Sequence, residues 1–355
     1  MINMLCTTRL IYLEEYLFFR TETEGILGKI CLENGHVHFL NSVPERLLGE
    51  KTHGGIMYGY DNSIYIISNK GKDICELSSD GNFSRIEFEN EKDKKNINAW
   101  AGVISFSNKI YAFGRDDGWI LKIDTRNKKA SYGNTRIADR IMWASKYNDI
   151  VYAISWDCNY LYRYDLNTGE VVRLQMKIEN LAKIESKSSI PLHGMCSDNG
   201  MLYFHDSNKI FKYDIISNKT TILNRNESED NGSRIIILDN IIIVPSMNQK
   251  HFYIIEKESG IVQGKKNITT DAKIADGWNG SGEPCYTDNY TYLPIINSNM
   301  ILQINNINAD CEWIMLNFDK KDIERVMLNT MQKNVIVKES SIYSVSTFLK
   351  NLQKW

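Results

Sequence analysis

Three stretches of this chain spell out the same unit, and that repeat constrains the fold more than any other feature. They are NKIYAFGRDDGWILKIDTRNKKA from Asn108, NDIVYAISWDCNYLYRYDLNTGEVVRL from Asn148 and NGMLYFHDSNKIFKYDIISNKTTIL from Asn199. Each opens on a turn and runs into a short strand around an apolar–Tyr pair. A polar loop follows, then an apolar–polar alternation ending in Asp and an Asn- or Gly-containing turn. The endings ILKIDTRNKK, LYRYDLNTGE and IFKYDIISNK align without gaps. Alternation of period two sends successive side chains to opposite faces of a strand. Asp, Asn and Gly suit the turns because they tolerate positive φ and bond to nearby backbone. Weaker copies begin at Glu14, Asp61, Asp239 and Asp288. Anchored on Phe18, Tyr65, Tyr111, Tyr152, Tyr203, Ile243 and Tyr292, the unit recurs at intervals of roughly 40 to 51 residues.

Upstream of each anchor lies another short strand, such as GGIMYGY before Tyr65 and WAGVISFS before Tyr111. Four strands per unit then account for nearly the whole chain. One such unit cannot cover both of its own faces, so the units stack radially and leave only short, protected edges. The expected fold is therefore all-β: a single closed β-propeller of about seven four-stranded blades over residues 1–320. The tail, 321–355, reads differently. Ile342, Val345, Leu349 and Leu352 lie roughly one helical turn apart and Ser340 is placed to cap them. This predicts a short C-terminal α-helix packed on the propeller, with a closing strand (VIVKES) as the competing use of part of the segment.

The segments NKIYAFGRDDGWILKIDTRNKKA and LYRYDLNTGEV resemble kelch-like and related bacterial seven-bladed propeller repeats. Those carry an IY pair, a glycine-containing turn and a YD-type ending. The resemblance covers about Thr52 to Leu316 and implies a fold only. Arg115 replaces the second glycine of the kelch pair, LYFHDSNK lacks the turn, and most units lack the closing Trp. Such propellers bind ligands, dock proteins, cleave glycans or carry redox chemistry, so function has to come from a site.

Charge and composition narrow the partners. Lys+Arg 42 against Asp+Glu 44 gives a formal net charge of -2. Such a chain has no excess positive charge to displace counterions from a phosphate backbone, so nucleic acid is not an expected partner. No run approaches about 18 uninterrupted apolar residues, so no membrane span is expected. Arg9, Glu14 and Glu15 interrupt the first apolar stretch, unlike a signal peptide. The seven cysteines are scattered singly without a CxxC pair, as reduced thiols are. Together these features predict a cytoplasmic protein with no cofactor and no metal site. Asp116, Asp117 and Gly118 have the start of a calcium loop without its later carboxylates. His36 and His38 flank Val37 as a solvated pair rather than a ligand set.

Chemistry in a propeller sits where the innermost strands begin and where the second strand turns into the third. The first set of positions carries Arg9, His53, Trp100, Arg140, His193, Arg234 and Glu283. The second adds Arg20, Arg115, Trp156, Asp157, His205 and Asp206. Arginine offers a planar fork for carboxylate, Trp offers a stacking face for a sugar ring, and His exchanges protons near neutral pH. The expected ligand-binding residues are Arg9, His53, Trp100, Arg115, Arg140, Trp156 and Arg234, for a protein partner or an acidic sugar-type ligand. If the site is catalytic, His193, His205 and Glu283 are the candidate acid–base groups. Binding or scaffolding is the leading reading. A glycoside hydrolase or polysaccharide lyase using the same funnel is the alternative.

Overall fold

The computed structural model describes residues 9–20, 26–42, 56–68, 73–78, 81–90, 95, 97, 99–155, 160–175, 193–205, 209–223, 235–245, 251–267, 282–295 and 300–321. The tail expected to form a helix lies outside them from residue 322 on. The described residues fold as consecutive antiparallel meanders of four strands.

The first meander is β1 (Leu10–Leu13), β2 (Tyr16–Arg20), β3 (Ile26–Cys31) and β4 (His36–Ser42). The second is β5 (Ile56–Tyr60), β6 (Ser63–Ile67), β7 (Ile74–Ser78) and β8 (Phe83–Phe88). The third is β9 (Trp100–Phe106), β10 (Lys109–Gly114), β11 (Trp119–Asp124) and β12 (Lys129–Arg136). The fourth is β13 (Ile141–Tyr147), β14 (Ile150–Ser155), β15 (Tyr160–Asp165) and β16 (Val171–Gln175). The fifth is β17 (His193–Asp198), β18 (Met201–His205), β19 (Ile210–Asp214) and β20 (Lys219–Leu223). The sixth is β21 (Ile236–Ile237), β22 (Ile241–Pro245), β23 (His251–Glu256) and β24 (Val262–Asn267). The seventh is β25 (Cys285–Tyr286), β26 (Tyr290–Pro294), β27 (Met300–Asn305) and β28 (Cys311–Met315). A last short strand, β29 (Asn317–Phe318), follows.

Sequence dictates these meanders through their turns. Between first and second strands the pairs Asp61–Asn62 and Asn199–Gly200 take positive φ, as do Ser107 and Asn148, the geometry that matches hairpin twist. Between third and fourth strands the strand-ending Asp holds the turn. Asp124 accepts the N–H groups of Arg126 and Asn127, Asp165 those of Asn167 and Thr168, and Asp214 those of Ile216 and Ser217. These bonds favour the ionised carboxyl and hold all three below the usual carboxylate range. The next residue donates to the neighbouring hairpin tip: Thr125 to Asn108 O, Leu166 to Asp149 O and Ile215 to Gly200 O. The aligned sequence endings are therefore one turn, built repeatedly.

Each second strand is buried on both sides, and its alternation divides it between two neighbours. In β10, Ile110 and Ala112 join a core with the second meander, whereas Tyr111 and Phe113 join one with the fourth. In β14, Val151 and Ala153 face the third meander, and Tyr152 and Ile154 the fifth. All seven anchor residues point forward, into the core shared with the following meander. Tyr292 of the seventh packs with Leu17, Phe19 and Val37 of the first.

Two parallel strand pairings supplement these cores at the outer strands. β12 pairs with β8, where Lys129 bonds Glu87 at 2.6 Å and Tyr132 stacks on Phe88. β29 pairs with β4, where Asn317 donates to Gly35 O at 2.9 Å and Phe318 stacks on Phe39. Behind the first pairing sits Glu76, only 8% exposed. It meets Lys128 at 2.7 Å and accepts hydroxyls from Ser63 and Ser84. Burial alone would raise its pKa, but Lys128 and the two hydroxyls prevail and lower it. A depressed carboxyl stabilises the fold above its unfolded value near 4.5 and loses that contribution as pH falls through its lower folded value. The parent should thus lose stability relative to Glu76→Gln as pH drops below about 4.5. Parallel pH series of denaturant midpoints would refute this if the two curves kept a constant separation.

Candidate functional site

The starts of first strands and the ends of second strands share one end of the meanders, opposite the hairpin tips. Arg9, Trp100, Arg140 and Glu283 are described there, each at or just before a first strand. His193 opens β17, and its side chain lies outside the described residues, as does that of Arg20. His53, Trp156, Asp157, Asp206 and Arg234 also lie outside them.

The described residues form two groups. Between the first and seventh meanders, Arg9 and Glu283 pair both through a parallel backbone bridge and through their charges. Arg9 Nη1 also donates to Met57 O at 3.1 Å. Burial pushes its guanidinium down to about 10, so it is still charged at neutral pH. Beside it, burial raises the Cys285 thiol to about 11, with the Tyr12 backbone as hydrogen-bond partner. That thiol remains protonated and is a poor nucleophile.

The second group lies between the third and fourth meanders. Arg115 follows β10, and its N–H donates to Ala99 O while its carbonyl accepts Ile141 N–H, both at 2.8 Å. This ladder fixes Arg115 and Arg140 around one carboxylate. Asp116 Oδ1 is 3.8 Å from Arg115 Nε and 3.9 Å from Arg140 Nη2, ion-pair distances beyond direct hydrogen bonding. The two guanidinium side chains are 42% and 46% exposed, so both reach solvent. Asp117 turns away, accepting Trp119 N–H, and burial raises its pKa. Gly118 (φ +65°) brings the loop against Ala138, and its carbonyl accepts Ile137 N–H.

Trp100 stands next to this group. Its position on β9 pairs with Gly114, and its indole N–H donates to Ser68 O at 3.0 Å. His205 ends β18 in register with His193 and is fully buried. Among the described residues, no three His, Cys, Asp or Glu side chains converge on a metal-sized site. One residue escaped the sequence reading altogether. Ser155 ends the apolar strand IVYAIS at 5% exposure, and its Oγ has no hydrogen-bond partner among the described residues. Only the strand's alternation, once registered, could have singled it out.

No protein-family model and no curated protein sequence matches the chain. Solved structures do. Virginiamycin B lyase from Staphylococcus aureus superposes with a TM-score of 0.62 at 11% identity, over 81% of this chain and 91% of that one. The dihydro-heme d1 dehydrogenase NirN gives 0.56 at 10% identity, over 87% and 66%. PorZ, a surface component of the type-IX secretion system of Porphyromonas gingivalis, gives 0.58 at 13%, over 88% and 38%. The chain thus spans well under half of PorZ. These likenesses define the class: a propeller-like, nearly all-β protein. They extend to the propeller fold and not to kelch repeats in particular, and the neighbours include enzymes as well as binding components.

Proposed function

We propose that the chain is a closed, seven-bladed propeller that binds a ligand or partner at the end where its first strands begin, and that a carboxylate-bearing, glycan-like ligand is taken there. Closure is supported by the cyclic order of the seven shared cores and by links between neighbouring first strands. Tyr58 donates to Ser105 Oγ, Lys146 to Ser105 O, Ser145 to Ser197 Oγ and the Cys196 thiol to Ile235 O. Arg9 adds the links to Met57 and Glu283.

One observation carries the binding reading: Arg115 and Arg140, half-exposed, flank a single Asp116 at the same end as Trp100. The Arg115 guanidinium carries more donors than its ion pair with Asp116 uses, so a second carboxylate can be met there. Arg9 is already engaged by Glu283 and Met57, so it serves the ring more than the ligand. The enzyme reading draws on the His193–His205 pairing at that end. Binding is preferred because His205 is fully buried.

A thermal-shift panel of acidic and neutral sugars tests the proposal. A ligand at about 100 times its Kd adds roughly 2.7 kcal/mol, a shift of a few degrees. We expect that shift for uronates and its loss in Arg140→Ala, at unchanged ligand-free melting temperature. A panel in which uronates do no better than their neutral twins would overturn the small-ligand reading. Turnover of a bound uronate, abolished in Arg140→Ala, would instead favour the enzyme.

A further inference from the structure

Two buried polar atoms lie at the boundary between the third and fourth meanders. Val151, Ala153 and Ser155 occupy one side of β14, and the first two pack against the third meander. By the same alternation the Ser155 hydroxyl faces that meander, one step nearer the ligand end. Ile141 sits opposite Ser155 in register and donates its N–H to Arg115 O. Arg115 is thus one hydrogen bond and one strand pair away from Ser155. Tyr111 and Phe113 on β10 belong to the same core as Val151 and Ala153.

Neither Arg115 Nε nor Ser155 Oγ has a hydrogen-bond partner among the described residues, though both atoms are buried. Asp116 is too distant from Nε to serve. Buried polar groups are satisfied in nearly all proteins, and an orphan marks strain, function or an absent partner. Both groups donate, and one is cationic. What completes them is an acceptor with negative charge and two oxygens.

Resting on the binding reading above, we infer that Arg115 Nε–H and the Ser155 hydroxyl form the subsite that anchors the ligand's carboxylate, with Arg140 guarding its solvent side. The ligand class is a uronate-type sugar rather than a neutral one. The subsite also predicts a conflict between stability and binding. Among the described residues the Ser155 hydroxyl is a buried donor without a partner, so removing it relieves the fold.

Isothermal titration with D-galacturonate, and with D-galactose as its neutral twin, tests this on the full chain. Ser155→Ala is expected to weaken galacturonate binding about tenfold, the effect of one hydrogen bond to a charged group. Its ligand-free melting temperature should equal or exceed the parent's. Arg115→Lys keeps the charge, displaces the Nε–H and should weaken binding similarly, whereas Ser155→Thr retains it. Parent-like affinity in both Ser155→Ala and Arg115→Lys, with binding abolished in Arg140→Ala, overturns the subsite and leaves the wider site standing. Equal affinity of the parent for galactose and galacturonate overturns the subsite as well. Failure of the parent to bind either sugar at millimolar concentration overturns both readings of the small ligand.

Discussion

Glu283→Ala should cost about 3–5 kcal/mol, because it strands a charged Arg9 in a site built to be neutral overall. The side chains of the pair are only 18% and 26% exposed, and Arg9 stays protonated at pH 7 although burial lowers its pKa to about 10. The lost partner is also a lost tie between the first and seventh meanders. Replacing both residues by leucine should recover most of the deficit, since two apolar side chains leave no uncompensated charge. Urea midpoints for Arg9→Leu, Glu283→Leu and the double leucine variant form the cycle that measures the coupling, with Glu283→Ala as the truncation. A double variant no more stable than Glu283→Ala would show that the pair matters for shape rather than charge.

Gly118→Ala should be comparably severe, at about 3 kcal/mol or more, through a different cause. The residue holds φ at +65°, and an added Cβ would lie 1.7 Å from the Ala138 carbonyl oxygen. Backbone must move to admit it. That movement would separate Asp116 from Arg140, so the uronate-induced shift should vanish along with the stability. Gly81→Ala provides the comparison: φ is +83°, but nothing lies within 4 Å of the added carbon. It should cost only the left-handed penalty of about 1 kcal/mol. If the two variants unfold at the same denaturant concentration, the close approach to Ala138 is softer than its geometry implies.

Much of the architecture could be read in advance, and particular residues show why. The anchors from Phe18 to Tyr292 occupy one structural position, the forward-facing middle of a second strand. Packing against a neighbouring copy imposes the same aromatic or branched choice each time. The Asp of the aligned endings is fixed by two backbone N–H groups that nothing else satisfies so well. The site was legible only as a location. First-strand starts carry different residue types in each unit, so no period marks which of them act. Arg9 and Arg140 look alike in sequence, yet one is tied to Glu283 and the other flanks the half-buried carboxylate of Asp116. Ser155 was invisible because its meaning depends on strand parity and on Arg115 in another meander. The expected residues His53, Trp156 and Arg234 lie outside the described structure.

The pairing of β29 with β4 has a mechanical consequence. Every four-stranded sheet is a single continuous length of chain, so each can form from local contacts. The hydrogen bond from Asn317 to Asn34 O, by contrast, joins residues 283 apart in sequence. Loop closure over such a distance is slow, which makes this joint the last to set as the protein folds. It is also a two-residue strip on an outer edge, and it detaches without breaking the antiparallel ladder of any meander. Under tension applied beyond β29 this strip would act as a fuse, giving way first while the shared core and the Arg9–Glu283 pair still held the first and seventh meanders together.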